Sequence, residues 1–283
     1  MNIHWFPGHM TKSLRMIQDN IKLVDAVVYI LDARAPLSCI NPALDGIVKN
    51  KPIVYVLNKA DLVEPSFVKK FCERFKNEGK SVVALNSTVS KSAALVSSEV
   101  KRLCGEKITR GEARGLKITV RAMVIGVPNG GKSTFINNLS GFAKTVTGNK
   151  AGVTRGKQWI RVDEYFEVLD TPGTLYPKLE DQGTAARLAF IGSISDDVLD
   201  SVELALLLIG TLDEMDPGII SSRYKIGEAV EEREWDAESR LSGIAKSRGF
   251  IKKGGVFDVE KAALGLIDDF RKGRLGKIAL EDL

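Results

Sequence analysis

Gly126-Val-Pro-Asn-Gly-Gly131-Lys132-Ser133 fits the pattern GxxxxGK[ST]. The apolar run Arg121-Ala-Met-Val-Ile-Gly126 leads into it and reads as a strand, and a helical pattern over residues 132–139 follows it. Strand, glycine-rich turn and helix in that order form the setting in which this motif cradles phosphate. Glycines let successive backbone N–H groups curl around phosphate oxygens, and the helix N-terminus adds the positive end of its dipole. Lys132 is the expected partner of the β- and γ-phosphates, and the Ser133 hydroxyl is the expected Mg²⁺ ligand. Gly130, Gly131 and Thr134 complete the expected phosphate cradle. The motif implies a nucleoside triphosphate and leaves the base open.

Outward from this loop, the first two-thirds of the chain alternate between strand and helix signals. Asp25-Ala-Val-Val-Tyr-Ile-Leu-Asp32, Pro52-Ile-Val-Tyr-Val-Leu57 and Ser81-Val-Val-Ala-Leu85 are short apolar runs rich in β-branched residues. Gln158-Trp-Ile-Arg-Val162 and Tyr165-Phe-Glu-Val-Leu169 predict a hairpin across Asp163-Glu164. Helical patterns cover residues 65–77 and 93–103. Such alternation predicts an α/β fold with a mostly parallel sheet and helices on both faces. Ligands then sit at the carboxyl ends of the strands. The polar, basic residues 105–117 read as a linker. Beyond Tyr176-Pro177 the strand signal stops, and helices are predicted over 184–194, 197–212, 236–248 and 259–271. The expected organisation is an α/β domain over 1–178 and a small all-α C-terminal domain over 179–283.

Asn58-Lys59-Ala60-Asp61 addresses the base. It is an NKxD motif at the end of a predicted strand. A carboxylate there accepts from guanine N1–H and the 2-amino group. Adenine offers no such donor pair and would leave Asp61 unpaired. Asp170-Thr-Pro-Gly173 ends another predicted strand and matches DxxG. Asp170 is expected to hold Mg²⁺ through water and the Gly173 amide to meet the γ-phosphate; alone, the segment would read as an ordinary turn. Thr154, in Gly152-Val-Thr-Arg155, is the candidate switch threonine that closes on Mg²⁺, with a plain loop threonine as the alternative. Asn86 and Ser87, at the end of the third strand, are placed to close over the guanine through backbone amides.

In ordinary GTPases the phosphate loop comes first, followed by the switch threonine, DxxG and NKxD. Here NKxD and Asn86-Ser87 precede the phosphate loop, Thr154 and DxxG. This circular permutation resembles the YlqF/RbgA family of bacterial ribosome-assembly GTPases. The likeness extends to Trp5-Phe-Pro-Gly-His9-Met10 and to Asp170-Thr-Pro-Gly-Thr-Leu-Tyr-Pro-Lys178, and covers nearly the whole chain. It implies a circularly permuted P-loop GTPase domain followed by a small helical domain.

The resemblance carries further expectations. Residues 1–22 precede the strand 25–32 and take the place of the second-switch lead-in, which on topology alone brings His9 toward the γ-phosphate. Ras-like enzymes orient the attacking water with a Gln after DxxG, where this chain has Thr174 and Leu175. The family assigns that role to the histidine that matches His9; the alternative is a histidine that only orders the N-terminal turn. In loops of the form GxPNxGKS the Asn ligates a monovalent cation, usually K⁺, which makes Asn129 a K⁺ candidate beside a purely geometric reading. Gly130 stands where relatives usually have Val. The second switch runs directly into the helical domain through residues 175–181, a tether from nucleotide state to domain orientation.

Family members bind the large ribosomal subunit, so the implied partners are its precursor and rRNA. Lys246-Ser-Arg-Gly-Phe-Ile-Lys252-Lys253-Gly-Gly255 and Arg271-Lys-Gly-Arg274-Leu-Gly-Lys277 suit RNA phosphates; charge alone favours solvated helix ends, and the resemblance reverses that in favour of RNA. The expected function is a GTP/GDP switch in assembly of the large subunit; a guanine-nucleotide-dependent RNA-binding module without turnover is the alternative. NKxD argues against a nucleotide kinase. The composition agrees with a globular protein: among 283 residues, 44% are hydrophobic and 27% charged. A net charge of +5 permits nucleic-acid binding without requiring it. Cys39, Cys72 and Cys104 are too scattered for a disulfide framework or a zinc site. No apolar run approaches the ~20 residues that span a bilayer, and no signal or transit peptide is recognisable. A monomer in the cytoplasm is expected.

Overall fold

Ala26–Asp32 (β1), Ile53–Asn58 (β2), Ser81–Ala84 (β3), Val120–Gly126 (β4), Gln158–Asp163 (β5) and Phe166–Asp170 (β6) form one sheet in the order β3-β2-β1-β4-β6-β5. The computed structural model describes residues 8–141, 158–175, 181–226 and 235–283, the side chains of residues 8–10 excepted. All pairs are parallel except the β5–β6 hairpin. β1 lies mid-sheet, with β2 on one side and β4 on the other. Every residue of β1 is buried. That explains its near-continuous apolar run, since a strand covered on both faces loses the in–out alternation.

The two faces are packed by different helices. Ala94–Leu103 (α4) and Lys132–Ser140 (α6) bring Val96, Val100, Phe135 and Ile136 against Val28, Ile30, Val54, Val56, Ala122 and Val124. The opposite face carries Tyr29 and Tyr55, stacked at 5.7 Å between centroids, with Tyr55 edge-on to Phe75 of Pro65–Asn77 (α3). Burial of each such side chain contributes about 1.5–3 kcal/mol, so this double-sided core dominates the stability of the sheet. Gly8–Asn20 (α1) and Pro42–Val48 (α2) also belong to this part of the chain, with Ile17 of α1 fully buried.

The linker expected over residues 105–117 is instead partly helical, with Gly105–Glu112 forming α5. The topology supplies the reason. The chain leaves β3 at the sheet edge and must return to β4, three strand positions away, a distance of roughly 14 Å at the usual strand spacing. α4 covers that route, packing on β1, β2 and β3, and α5 continues it. Irregular backbone over the same span would leave polar groups unpaired.

The chain folds into two compact units. One holds Trp5–Leu179 together with Ala279–Leu283; the other is the helical part Glu180–Ile278. The helical unit contains Gln182–Phe190 (α7), Ser201–Met215 (α8), Gly218–Tyr224 (α9), Ala237–Ser247 (α10) and Val259–Arg271 (α11). Asp181, Asp200, Asp236 and Asp258 cap α7, α8, α10 and α11 by accepting from backbone N–H groups of the first turn. The cap at Asp200 starts α8 four residues later than the expected 197. α7 stops at Phe190, short of the expected 194, because Gly192 turns the chain at a φ of +79°. α2 and α9 are too short to show a helical period in sequence. Among the described residues no helix is long and apolar enough to cross a membrane.

Candidate nucleotide-binding site

The carboxyl ends of β1, β2, β4 and β6 bring Asp32, Asn58, Gly126 and Asp170 to one edge of the sheet. The registers pair Asp32 with Asn58, Ile30 with Gly126, and Val124 with Asp170. The three motifs, separated by up to 112 residues in sequence between Asn58 and Asp170, therefore end at neighbouring positions.

The phosphate loop bends where its glycines allow it. A β-carbon at Gly126 would lie 2.4 Å from the Ile30 carbonyl oxygen, and one at Gly131 would lie 2.2 Å from Asn58 Nδ2. Gly131 has a φ of +97° and caps α6, so the helix N-terminus opens directly from the loop. Asn129 is also left-handed, at a φ of +55°. Lys132 Nζ donates to the carbonyls of Gly126 at 3.1 Å and Val127 at 2.8 Å. Burial lowers the Lys132 ammonium to about 8, against the opposing charge of Asp170. Ser133 and Thr134 follow in the first turn of α6.

Asn58 joins three segments. Its Nδ2 donates to Gly130 O at 2.8 Å, and its Oδ1 accepts from Ser87 N at 3.0 Å and Ser87 Oγ at 2.8 Å. Ser87 is buried, and its amide is committed to Asn58. The Asn86 side chain caps its own turn by accepting from Thr88 N and Oγ1. Lys59 takes the left-handed conformation, φ +57° and ψ +34°, and opens the short 3-10 helix Ala60–Leu62. Its Nζ donates to Asn129 O at 2.9 Å. Asp61 in that 3-10 helix is exposed.

On the other side, Asp170 is 1% exposed, and neither of its carboxylate oxygens has a hydrogen-bond partner among the described residues. Burial raises its pKa to about 6, with the positive charge of Lys132 opposing. A buried carboxylate with both oxygens unspent fits a hard divalent cation or its water shell. Thr171 anchors the turn by donating from Oγ1 to Val124 O at 2.7 Å. Gly173 passes so close to Pro128 that a β-carbon there would meet its N and Cα at 2.6 Å. Thr174 N donates to Gly126 O at 3.1 Å, and both Thr174 and Leu175 are buried. DxxG is thus fastened to the phosphate loop by its own backbone.

His9 lies in the first turn of α1, and its side chain falls outside the described residues. Thr154 and residues 176–178 fall outside them entirely.

Sequence reasoning passed over a further set of charges. Asp32, fully buried, accepts from Arg34 Nε at 2.9 Å and Nη2 at 2.7 Å, and pairs with Lys59 Nζ at 2.8 Å. Burial would push its carboxyl up. The charges and hydrogen bonds of Arg34 and Lys59 override that and hold it well below the usual carboxylate range. The available signal was a charged Asp-Ala-Arg ending a strand that is otherwise wholly apolar.

Known proteins share this arrangement. A family described as 50S ribosome-binding GTPase matches residues 121–235. Ribosome biogenesis GTPase A of Bacillus cereus is 37% identical over 99% of this chain and 94% of that protein. The chain belongs to the ribosome biogenesis GTPase A family. It is accordingly a GTPase that binds GTP and GDP. The Thermotoga maritima protein of that name is 30% identical over 98% of this chain and 93% of its own length. The crystal structure of GNP-bound YlqF from T. maritima matches with a TM-score of 0.66 at 28% identity, covering 95% of this chain and 97% of that one. A full-length match of this kind bears out the permuted α/β GTPase fold and the family resemblance carried by the motif order. Mitochondrial ribosome-associated GTPase 1 of Mus musculus is 32% identical over 98% of this chain and 89% of its own.

Proposed function

We propose that this GTPase is a switch in assembly of the large ribosomal subunit, bound to the precursor particle and in contact with rRNA. The observation that carries the reading is the meeting of NKxD, phosphate loop and DxxG at one sheet edge, in a chain whose relatives are named for ribosome biogenesis. Asp61 reads guanine through N1–H and the 2-amino group, while Asn58 braces the loop that wraps the phosphates. Lys132, with Gly130, Gly131, Ser133 and Thr134, holds the β- and γ-phosphates at the start of α6. Asp170, Ser133 and Thr154 are the protein groups for Mg²⁺, which when bound spreads the negative charge that builds on the transferred phosphoryl group. Asn129 is the protein's ligand for K⁺. His9 orients the attacking water; Thr174 and Leu175, where Ras-like enzymes carry a Gln, are buried.

Contact with rRNA falls to the helical unit. Several of its cations are already paired: Arg248 and Arg274 with Asp269, Lys252 with Glu260, and Arg271 with Asp196. Lys246, Lys253 and Lys277 are exposed, and Lys253 sits at the tip of the turn closed by the Ile251–Phe257 bridge. That turn also exposes Ile251, Val256 and Phe257, a mixture of cation and apolar surface that suits single-stranded RNA. The protein acts as a monomer in the cytoplasm, where ribosomal particles are its partners.

The test is GTP turnover in KCl and in NaCl, with and without purified large subunits, for the wild type and His9→Ala. Stimulation of the wild type by subunits, with a variant that binds GTP yet stays slow, supports the whole reading. Turnover indifferent to subunits removes the ribosomal role and leaves the GTPase.

A further inference from the structure

The nucleotide unit is completed by residues from the far end of the sequence. After the helical unit ends at Ile278, Ala279–Leu283 belong to the same unit as the sheet. Leu280 N donates to Arg34 O at 2.7 Å. The Glu281 carboxylate accepts from Leu37 N at 2.7 Å, from Ser38 N at 2.8 Å and from Ser38 Oγ at 2.5 Å. One acidic side chain thus gathers three donors of the loop that follows β1, in the way a carboxylate caps a turn.

That loop leads to the base-reading motif. Arg34 is 2% exposed, and its guanidinium grips Asp32 with two parallel bonds. Asp32 Oδ2 also holds Lys59 Nζ, which at the same time reaches Asn129 O. Lys59 is the left-handed residue that turns the chain into the 3-10 helix carrying Asp61. A non-glycine residue holds that conformation only where its surroundings enforce it. Here the ion pair with Asp32 acts together with the bond to Asn129 O and the backbone bond from Ala60 N to Leu85 O, and Asp32 is oriented by Arg34, whose carbonyl accepts from Leu280 N.

We propose that Leu280 and Glu281 are positioning residues for guanine recognition, acting through Arg34, Asp32 and Lys59 on the placement of Asp61. The proposal rests on the reading of Asp61 as the guanine acceptor. Neither residue touches nucleotide; their contribution is to keep the carboxylate of Asp61 at the spacing that accepts from both guanine donors. Residues 279–283 directly continue the helical unit, so tension on them reaches the base site along the chain itself. Nucleotide affinity thereby gains a second covalent route to the helical unit, distinct from the segment that follows DxxG.

The experiment compares GDP with IDP, which lacks the 2-amino group and so engages only one of the two donors read by Asp61. Affinities of fluorescent GDP and IDP analogues and melting temperatures are measured for the full-length wild type, Glu281→Gln, Glu281→Ala and a chain lacking 279–283. Glu281→Ala and the deletion are expected to weaken GDP about five-fold or more. The loss for IDP is expected to be smaller, so the preference for GDP over IDP shrinks. Glu281→Gln, which keeps one acceptor oxygen, falls between. Combining Glu281→Ala with Arg34→Lys is expected to give less than the sum of the single effects, because both act through Asp32. An unchanged GDP-to-IDP ratio overturns the proposal, whether or not overall affinity or melting temperature falls. Asp61→Asn in the same assay separates the two readings. If it abolishes the GDP preference while the tail variants leave it intact, only the positioning role fails; if it too leaves the preference intact, the guanine reading fails.

Discussion

Asn58 fills the space that a side chain at residue 131 would need: the place where a β-carbon of Gly131 would stand is 2.2 Å from Asn58 Nδ2. Asn58 in turn bonds Gly130 and Ser87, so the end of β2 and the start of α6 are locked through a missing side chain. Gly131→Ala is expected to displace Asn58, strain a residue at a φ of +97° and lower stability by about 1–3 kcal/mol. Affinity for GDP should fall at least about ten-fold, since the phosphate loop and NKxD lose register together. Equilibrium urea unfolding and a GDP titration check both.

Asp32→Asn keeps the shape and removes the charge. It removes the carboxylate that the buried guanidinium of Arg34 grips and takes the ion pair from Lys59. Breaking one side of a buried pair costs about 3–5 kcal/mol, so a large drop in urea midpoint is expected. The pH dependence carries a sign. The folded Asp32 carboxyl titrates well below its unfolded value. The stability it provides is therefore fully present above the unfolded value and is lost only as pH falls below it. The deficit of the variant should be constant across neutral pH and shrink only in acid.

Asp170 behaves in the opposite sense. Its folded pKa lies at about 6, above the ordinary 3.8. In nucleotide-free protein the folded state therefore holds the proton longer than the unfolded state does. Stability falls as pH rises from 3.8 to about 6 and is flat above. At neutral pH this buried, unbonded charge costs about 3 kcal/mol, so Asp170→Asn is expected to melt higher than wild type. The gain should vanish below pH 4, and GTP turnover should be lost at every pH. Melting curves without nucleotide between pH 4 and 8 give the answer.

Asp269 ties together the helical unit. Nearly buried, it accepts from Arg223 Nε and Tyr224 OH at 3.0 Å each, pairs with Arg248 and Arg274, and has its carboxyl held below the usual range despite burial. Asp269→Ala is expected to destabilise that unit by about 3–5 kcal/mol. GDP affinity should stay within about two-fold of wild type as long as residues 279–283 keep their bonds to Arg34, Leu37 and Ser38, because the candidate nucleotide site belongs to the other unit. Calorimetry and a GDP titration on the same preparation check the pair of outcomes.

Local chemistry made much of this protein legible before folding. The apolar runs that became β1, β2 and β4 needed only their composition, because strands buried on both faces read as near-continuous apolar runs, interrupted here only by Arg121 and the terminal Asp32 and Asn58. The phosphate loop, NKxD and DxxG were readable because each is a short backbone device that demands particular residues at fixed spacing. Their order along the chain announced the permutation. Tertiary structure alone decided the rest, wherever partners are remote in sequence. The return from β3 to β4 across the sheet turned residues 105–112 into a helix. The side-by-side ends of β1 and β2 set Asp32 against Lys59, 27 positions apart in the sequence. Glu281 met Leu37 and Ser38 across more than 240 residues. Periodicity and turn chemistry report on neighbours within a few residues, whereas ion pairs and tail contacts depend on which strands lie side by side, and only the closed sheet determines that.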